Sequence, residues 1–240
     1  MISVVNDSIA EGLARVRERI AGAARAAGRV PADVVLMAVS KTFPAERIRA
    51  AYAAGQCLFG ENRVQEFATK AAELEGLSGA DVHLIGHLQS NKAAKAAELF
   101  SAIDSVDSLR LAEKLDVAAR ERAQSLPVLL ELNLGGEESK SGLAPDSPEL
   151  EALLAAAPRL ERLAIRGLMS IPPFTEDPEG ARPYFRRLRE LRDRLAARHL
   201  PRVALDVLSM GMSHDFEVAI QEGSTCVRLG TAIFGERKKP

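Results

Sequence analysis

The stretch Val34-Val35-Leu36-Met37-Ala38-Val39-Ser40-Lys41 decides the fold, because its six apolar residues run without alternation and end on a serine and a lysine. A short continuous apolar run is typical of a strand buried on both faces, as in a parallel sheet. Pro31 before the run and Pro44 after it leave too little length for the alternative, a core helix. We therefore predict a parallel strand that ends at Lys41.

The position of Lys41 at the end of that strand gives its amine two interpretations. Parallel sheets bind ligands at their carboxyl edge, and desolvation there favours the neutral amine, which is a nucleophile for aldehydes. A lysine whose amine extends to solvent is the alternative for a lone strand-end residue. The rest of the sequence decides between them.

The composition narrows the class of protein. The chain has 240 residues and a formal net charge of −1, so no global field attracts it to nucleic acid or an anionic membrane. No apolar run approaches the roughly 20 residues that cross a bilayer, and the first residues lack the layout of a signal peptide. Cys57 and Cys226 both fall in apolar runs, so we expect buried structural thiols. These features predict a cytoplasmic protein with no nucleic-acid or membrane partner.

Seven further apolar runs alternate with amphipathic segments. The eight predicted strands are residues 34–41, 57–60, 82–86, 100–106, 127–134, 163–171, 203–210 and 225–230. Eight strands alternating with helices favour the α/β class and a (β/α)8 TIM barrel, one domain over residues 1–240. An extra N-terminal helix, capped by Asp7 or Ser8, precedes the first strand. A doubly wound sheet is the alternative fold.

Polar residues follow directly after the predicted strands. They are Lys41, Glu61, Asn62, His87, Ser105, Asn133, Ser170, Ser209 and Arg228. In a barrel these positions ring one mouth, so their shared location is stronger evidence for a site than any single residue. His83, His87 and His214 show no metal-ligand spacing with cysteine, so we assign no metal.

Two stretches of small residues near the end of the chain are suited to hold an anion. Ser209-Met210-Gly211-Met212-Ser213 follows strand seven, and we predict that Ser213 caps the next helix. Arg228-Leu229-Gly230-Thr231 ends strand eight and precedes a short helix. Small residues let backbone N–H groups approach a phosphate closely, and barrels commonly hold phosphate in these loops. With Lys41 they specify a ligand that carries a phosphate and an electrophilic carbon, a description that pyridoxal 5′-phosphate meets.

Seven ordered motifs, which extend over nearly the whole chain, resemble those of the pyridoxal phosphate homeostasis protein family. They are Ala38–Thr42, Phe59–Asn62, His83–Lys92, Ser139–Gly142, Gly167–Ile171, Leu208–Ser213 and Val227–Gly235. Members of this family look like the barrel domain of fold-type III enzymes such as alanine racemase, without the additional β domain.

The resemblance implies roles for the matching residues. Lys41 forms the Schiff base with the cofactor, and Arg228 faces the pyridine nitrogen. The other cofactor-binding residues that it implies are Asn62, Ser170, Ser209, Gly211, Met212, Gly230 and Thr231, with Ser209, Gly230 and Thr231 at the phosphate. Because a guanidinium cannot accept a hydrogen bond, Arg228 would leave the ring nitrogen unprotonated and weaken the ring as an electron sink. A structural ion pair with a carboxylate is the alternative for Arg228.

Four features leave questions open. Phe43 stands two positions after the lysine, where many relatives carry a polar or basic residue. Lys140, on the longest loop, either takes cofactor transiently or is a solvated loop lysine. The arginine-rich helix between strands six and seven is interpreted as a solvated outer face, with an RNA-binding stripe as the alternative that lacks aromatic platforms. The basic tail Arg237–Lys239 is interpreted as a soluble end.

The resemblance implies a carrier that stores, buffers and delivers pyridoxal 5′-phosphate without catalytic turnover. The alternative is a fold-type III amino-acid racemase or decarboxylase. Such a racemase needs a second base on the opposite face of the cofactor, usually a tyrosine, and Tyr52 and Tyr184 both fall in predicted barrel helices. A class I aldolase-like barrel also uses a Schiff-base lysine but does not explain Arg228 beside two phosphate loops. Transient contact with apo-enzymes and the choice between a monomer and a weak dimer stay open.

Overall fold

The computed structural model of the chain describes residues 2–137 and 140–236, and of residues 2–7 it describes the backbone alone. Within these ranges eight parallel strands close into a barrel in sequence order, with the last strand paired to the first. The predicted (β/α)8 barrel is confirmed, and the doubly wound sheet is excluded. Ser139 of the fourth motif and the basic tail Arg237–Lys239 lie outside the described residues.

The bounds of the elements follow the predicted order. The strands are β1 (Val35–Val39), β2 (Leu58–Glu61), β3 (Asp81–Leu84), β4 (Ala102–Val106), β5 (Leu126–Glu131), β6 (Leu163–Met169), β7 (Val203–Ser209) and β8 (Cys226–Leu229). The helices are α1 (Ile2–Ala26), α2 (Ala45–Ala53), α3 (Val64–Lys70), α4 (Ala93–Leu99), α5 (Leu109–Glu121), α6 (Pro148–Ala156), α7 (Arg182–Ala196), α8 (Phe216–Gln221) and α9 (Thr231–Phe234). Most strands start or end one to three residues inside their predicted bounds, whereas β3 and β5 start one residue before the predicted start and β2 ends one residue after the predicted end.

Helix α1 is the extra N-terminal helix. Leu13, Val16 and Ile20 recur at helical spacing on its buried face, which packs against α2, α8 and α9. Because α9 is only four residues long, α1 completes the outer layer beside the last strand. The predicted cap at Asp7 or Ser8 is wrong: α1 begins at Ile2, since no glycine or proline interrupts the residues before Asp7.

Burial along β1 confirms the strand on which the fold prediction rests. Leu36 to Val39 are buried, while Val35 is exposed at the amino end of the barrel. The expectation of two buried thiols is right for Cys226 and wrong for Cys57, which is exposed because it precedes the first residue of β2. Burial raises the pKa of the Cys226 thiol to about 12, so this thiol is inert at neutral pH.

The arginines of α7 are engaged in ion pairs rather than simply solvated. Arg182, Arg186 and Arg189 converge on the buried carboxylate of Glu222, each with an N–O distance of 2.9 to 3.0 Å. Arg198, two residues after the end of α7, makes a bidentate contact with Glu151 of α6. The arginine-rich pattern is therefore explained by contacts between α7 and its neighbours. Among the described helices, none combines the length and apolarity needed to cross a membrane.

Candidate functional site

Lys41 lies half-buried in the turn that joins β1 to α2. The turn begins where the Ser40 amide donates to the carbonyl of Gly60, 3.0 Å away at the end of β2. Thr42, the next residue after Lys41, has a φ of 69°, in the left-handed region that β-branched residues rarely adopt. The sequence prediction that Lys41 sits at the carboxyl mouth of the barrel is therefore correct in position.

The turn of Lys41 packs directly against the predicted phosphate turn. A Cβ atom on Gly230 would lie 3.2 Å from the carbonyl oxygen of Val39, so glycine lets β8 end beside the end of β1. The rings of Phe43 and Phe234 stack with their centroids 5.1 Å apart. Arg47 donates a hydrogen bond to the carbonyl of Phe234. Phe43 thus contributes an apolar contact that joins the lysine turn to α9.

Arg228 is a buried cation inside the barrel, within β8 rather than after it. Its residue pairs in register with Met37 of β1. One guanidinium nitrogen donates to Ser209 Oγ at 2.7 Å, and the other donates to the carbonyl of Ser170 at 2.9 Å. Its backbone N–H donates to the carbonyl of Gly211 at 3.0 Å. The structure thereby brings four predicted site residues together at the inner wall.

The charge of Arg228 is not balanced by a direct ion pair with any carboxylate among the described residues. Burial lowers the pKa of its guanidinium, and the more distant carboxylates of Asp104, Glu131 and Asp215 oppose that shift. The alternative of a structural ion pair is therefore not what the geometry shows. A buried, hydrogen-bonded cation with unpaired charge is a strong binding feature for an acceptor atom.

The two serines that hold Arg228 differ in what their hydroxyls can still do. Ser170 Oγ donates to the carbonyl of Leu132 at 2.8 Å, so this hydroxyl ties β6 to the end of β5. Ser209 Oγ accepts from Arg228, so its own hydrogen can be donated to a ligand. Ser209 therefore fits direct ligand contact, whereas Ser170 acts on the site through its carbonyl.

The turn after β7 is built by Gly211 and Asp215. Gly211 has a φ of 95°, which a glycine adopts without strain. The Met212 N–H donates to Asp215 Oδ1 at 2.6 Å, so that amide is already committed. The predicted cap at Ser213 is wrong: the carboxylate of Asp215 closes a tight turn first, and α8 begins one residue after it.

Thr231 is the exposed first residue of α9. The amides of Ile233 and Phe234 both donate to the carbonyl of Gly230, at 3.0 and 2.9 Å. The first amides of a helix have no partner within the helix, so the hydroxyl and N–H groups at this end can meet an anion. Gly230 and Thr231 thus lie beside the turn of Lys41, as a joint site requires.

Asn62 is fixed at the mouth by its contact with the end of β3. A Cβ atom on Gly86 would lie 2.2 Å from the backbone oxygen of Asn62, so only a glycine lets the two segments pass. Ser105 Oγ donates to the carbonyl of Gly86 at 2.8 Å and holds that segment from the other side. Asn62 is half-buried there, next to Glu61 at the end of β2.

The rim opposite Lys41 is shaped by the loop after β5. The side-chain amide of Asn133 donates to the carbonyls of Glu137 and Lys140, at 2.9 and 3.2 Å. Lys140 Nζ pairs with Glu137 Oε1 at 2.8 Å, with both side chains half exposed. Lys140 also lines a cavity of about 290 Å³ at this mouth. His87, in the segment that follows β3, is exposed and hydrogen-bonded to Asp107 at 2.9 Å.

The buried carboxyl groups of Glu131 and Glu61 contribute more to the site than the sequence indicated. Glu131 in β5 accepts from Ser141 Oγ at 3.2 Å, and its Oε2 atom is buried without a partner in the described structure. The Oε2 atom of Glu61 is likewise buried without a hydrogen-bond partner in the described structure. Burial raises the pKa of both carboxyls. A charged residue inside the apolar run 127–134 was the available signal for Glu131.

A separate cavity of about 440 Å³ opens at the amino ends of the strands, and none of the predicted cofactor residues lines it. Its largely apolar wall includes Met37 and Cys226, with His83 hydrogen-bonded to Asp104 at 3.1 Å. In (β/α)8 barrels ligand chemistry lies at the carboxyl ends and the amino ends serve stability. We therefore place the candidate site at the mouth that holds Lys41 and Arg228, although this cavity is larger than the one of about 290 Å³ that Lys140 lines.

Comparison with known proteins first defines the broad class of protein to which the chain belongs. The sequence profile of the alanine racemase N-terminal domain matches residues 13–238. An alanine racemase from Streptomyces coelicolor A3(2) shares the fold at a TM-score of 0.68 and 21% identity, and the match covers 98% of this chain and 58% of the racemase.

Closer relatives narrow the class. The pyridoxal phosphate homeostasis protein of Aquifex aeolicus is 47% identical over 95% of this chain and 98% of its own length. PipY of Synechococcus elongatus PCC7942, solved with PLP bound, is 43% identical, has a TM-score of 0.82, and matches over 95% of this chain and 100% of PipY. The chain belongs to the pyridoxal phosphate homeostasis protein family, within the alanine racemase N-terminal domain class.

Proposed function

We propose that this chain binds pyridoxal 5′-phosphate at its carboxyl mouth, with Lys41 as the point of covalent attachment, and that it stores, buffers and delivers the cofactor. The family to which the chain belongs is named for pyridoxal phosphate homeostasis, and PipY was solved with PLP bound. Lys41 lies in the turn that follows β1, and β1 is the neighbour of β8, which carries Arg228. The two anchors of the ligand therefore come from adjacent strands.

The observation that carries this proposal is the environment of Arg228. When bound, the cofactor supplies an aldehyde carbon, a phosphate and an aromatic ring with one acceptor nitrogen. Arg228 is held by Ser209 and Ser170, which use two of its N–H donors and leave others for that nitrogen. Burial without a direct carboxylate partner favours such a contact, because the guanidinium gains an acceptor without a further desolvation cost.

The phosphate would be held by residues at the ends of β7 and β8. Gly230 and Thr231 supply the opening of α9, and Ser209 supplies a hydroxyl hydrogen from the end of β7. Anions are stabilised by such amide and hydroxyl donors. Asn62 would hold the ring from the end of β2, while Gly211 and Met212 would shape the turn beside the phosphate. Ser170 acts through Arg228.

We also propose that the chain does not turn over amino acids. Arg228 keeps the ring nitrogen unprotonated, and this weakens the ring as an electron sink. Neither tyrosine of the chain is placed as a second base: the Tyr52 hydroxyl donates to the carbonyl of Ser78 on the outer layer, and Tyr184 packs against the core from α7. General acid–base assistance contributes about 10²–10⁴-fold in rate. A site without a second base is therefore better suited to storing the cofactor than to turning over amino acids.

Delivery requires a recipient. We expect transient contact with apo-enzymes that need pyridoxal 5′-phosphate, in the cytoplasm, by a single-domain protein that is a monomer or a weak dimer. The open mouth beside the exposed Thr231 suits release of the cofactor.

The test of this function is a transfer experiment. The loaded protein, freed of excess cofactor, is mixed with an apo-enzyme that requires pyridoxal 5′-phosphate and, separately, with alanine and other amino acids. We expect reactivation of the apo-enzyme, and racemisation or decarboxylation no faster than with free cofactor. Sustained turnover of an amino acid that Lys41→Ala abolishes would instead establish the racemase or decarboxylase alternative.

A further inference from the structure

One buried amine forms hydrogen bonds on both sides of the turn that carries Lys41. Lys70, the last residue of α3, points its side chain beneath this turn and is only 8% exposed there. Its Nζ atom donates to the carbonyl of Phe43 at 2.9 Å and to that of Ser40 at 3.3 Å. These two carbonyls flank Lys41, so a single ammonium group spans the turn.

The third donor of that ammonium is taken by Glu61. Glu61 Oε1 lies 2.8 Å from Lys70 Nζ, and the glutamate side chain is fully buried at the end of β2. An ammonium has three N–H donors, and the two carbonyls and this carboxylate use all of them. Lys70 is therefore fully committed to the protein and is not suited to capture an aldehyde.

Glu61 and Glu66 hold the residues on either side of Lys41 directly. Glu61 Oε1 accepts from Ser40 Oγ at 2.5 Å, one residue before the lysine. Glu66 Oε1 accepts from the Thr42 N–H at 2.5 Å, one residue after it, and lies 3.6 Å from Lys70 Nζ. The residues before and after Lys41 are thus both tied to the same network.

Protein stability alone does not explain this network of buried charges. A buried ion pair is a weak source of stability compared with apolar packing, because both charges must be desolvated. Thr42 is also held in a left-handed conformation that persists only where surrounding contacts impose it. Buried charges that restrain a strained turn around one residue are typical of a site that must be preorganised.

We propose that Lys70 and Glu61 are positioning residues, which hold the turn so that the amine of Lys41 meets the aldehyde of a ligand already bound by its phosphate. This inference rests on the proposed function, since it assigns a task to residues around the attachment point. It adds that Lys70 acts through the backbone of Ser40 and Phe43 and makes no contact with the ligand itself.

The test compares Lys70→Met with Lys95→Met. Lys95 is a matched control, because it forms an exposed ion pair with Glu98 at 2.7 Å on α4. Two ligands are used with each variant: pyridoxal 5′-phosphate, and pyridoxine 5′-phosphate, which has an alcohol in place of the aldehyde. The rate of covalent attachment is followed by visible absorption, and the affinity for the alcohol is followed by calorimetry.

We expect Lys70→Met to slow covalent attachment by about 10- to 100-fold, the loss that follows when a reacting group is misplaced by roughly an ångström. Its affinity for pyridoxine 5′-phosphate should stay close to that of the wild type, because that ligand does not need Lys41. Lys95→Met should match the wild type in both measurements. If Lys70→Met leaves a buried charge that prevents folding, the double variant Lys70→Met with Glu61→Gln removes that charge and should show the same pattern.

Attachment at the wild-type rate in the Lys70 variants would overturn the inference. A loss of affinity for pyridoxine 5′-phosphate as large as the loss of attachment rate would also overturn it, since that result describes a damaged barrel rather than a misplaced amine. Failure of the proposed function looks different, because the wild-type protein itself would then form no covalent link.

Discussion

The hydroxyl of Thr231 gives the sharpest test of the anion site. Thr231→Val removes the hydroxyl and keeps the shape of the side chain, while Thr231→Ser keeps the hydroxyl. The backbone of this turn is held by the amides of Ile233 and Phe234 on the carbonyl of Gly230, so neither change should disturb α9. The comparison therefore isolates one donor.

The expected magnitude follows from the exposure of this residue. A hydrogen bond to a charged acceptor contributes about 1.5–3 kcal/mol, and Thr231 is exposed, so water competes and the low end applies. About 1.5 kcal/mol corresponds to roughly tenfold in affinity. Thr231→Val should bind pyridoxal 5′-phosphate about tenfold more weakly than the wild type, whereas Thr231→Ser should resemble the wild type.

The assay is an equilibrium titration of absorbance with pyridoxal 5′-phosphate and, in parallel, with pyridoxal. Because pyridoxal has no phosphate, Thr231→Val should leave its affinity unchanged. Two results would refute the assignment of Thr231 to the phosphate: unchanged binding of the phosphorylated ligand, or an equal loss for both ligands.

Two further predictions concern the scaffold. Glu222→Gln should lower the free energy of unfolding by about 1–3 kcal/mol, because three partly exposed arginines lose a buried carboxylate; urea denaturation measures this. Burial acts to raise the pKa of Glu222, but the hydrogen bonds from Arg186 and Arg182 outweigh it and hold this pKa below its usual value. The stability that the Glu222 carboxylate contributes is therefore present above about pH 4.3, the usual pKa of glutamate, and is lost as the pH falls through the folded pKa. The difference between wild type and variant should therefore shrink at acidic pH, and a constant difference would count against this account. A thiol reagent should modify Cys57 rapidly in the folded protein and Cys226 only on unfolding; early loss of the Cys226 thiol would show that the barrel opens.

The barrel could be predicted from the sequence because each buried parallel strand is a continuous apolar run. Leu36 to Val39 is one such run, and eight runs separated by amphipathic helices leave few architectures. The end of each run also predicts which residues share the mouth, since all strands point the same way. The positions of Lys41, Asn62 and Ser209 were predictable for this reason.

Helix starts and individual contacts could not be predicted in the same way. Ser213 and Asp215 are both good capping residues, and the choice between them depends on the turn made by the Met212 amide. Lys70 resembles any basic residue in the last turn of a helix. Only the folded chain shows that its amine reaches back to the turn of Lys41 and to Glu61, because these contacts join different elements. Long-range polar contacts leave no local signal in the sequence.

The most direct test of the central claim is the site of covalent attachment. The protein loaded with pyridoxal 5′-phosphate is reduced with borohydride, digested and mapped by mass spectrometry, with Lys41→Ala treated in parallel. We predict that the label lies on Lys41 in the wild type and that the visible absorption band disappears on reduction. A main label on Lys140, Lys70 or any other lysine of the wild-type protein would contradict the assignment of Lys41.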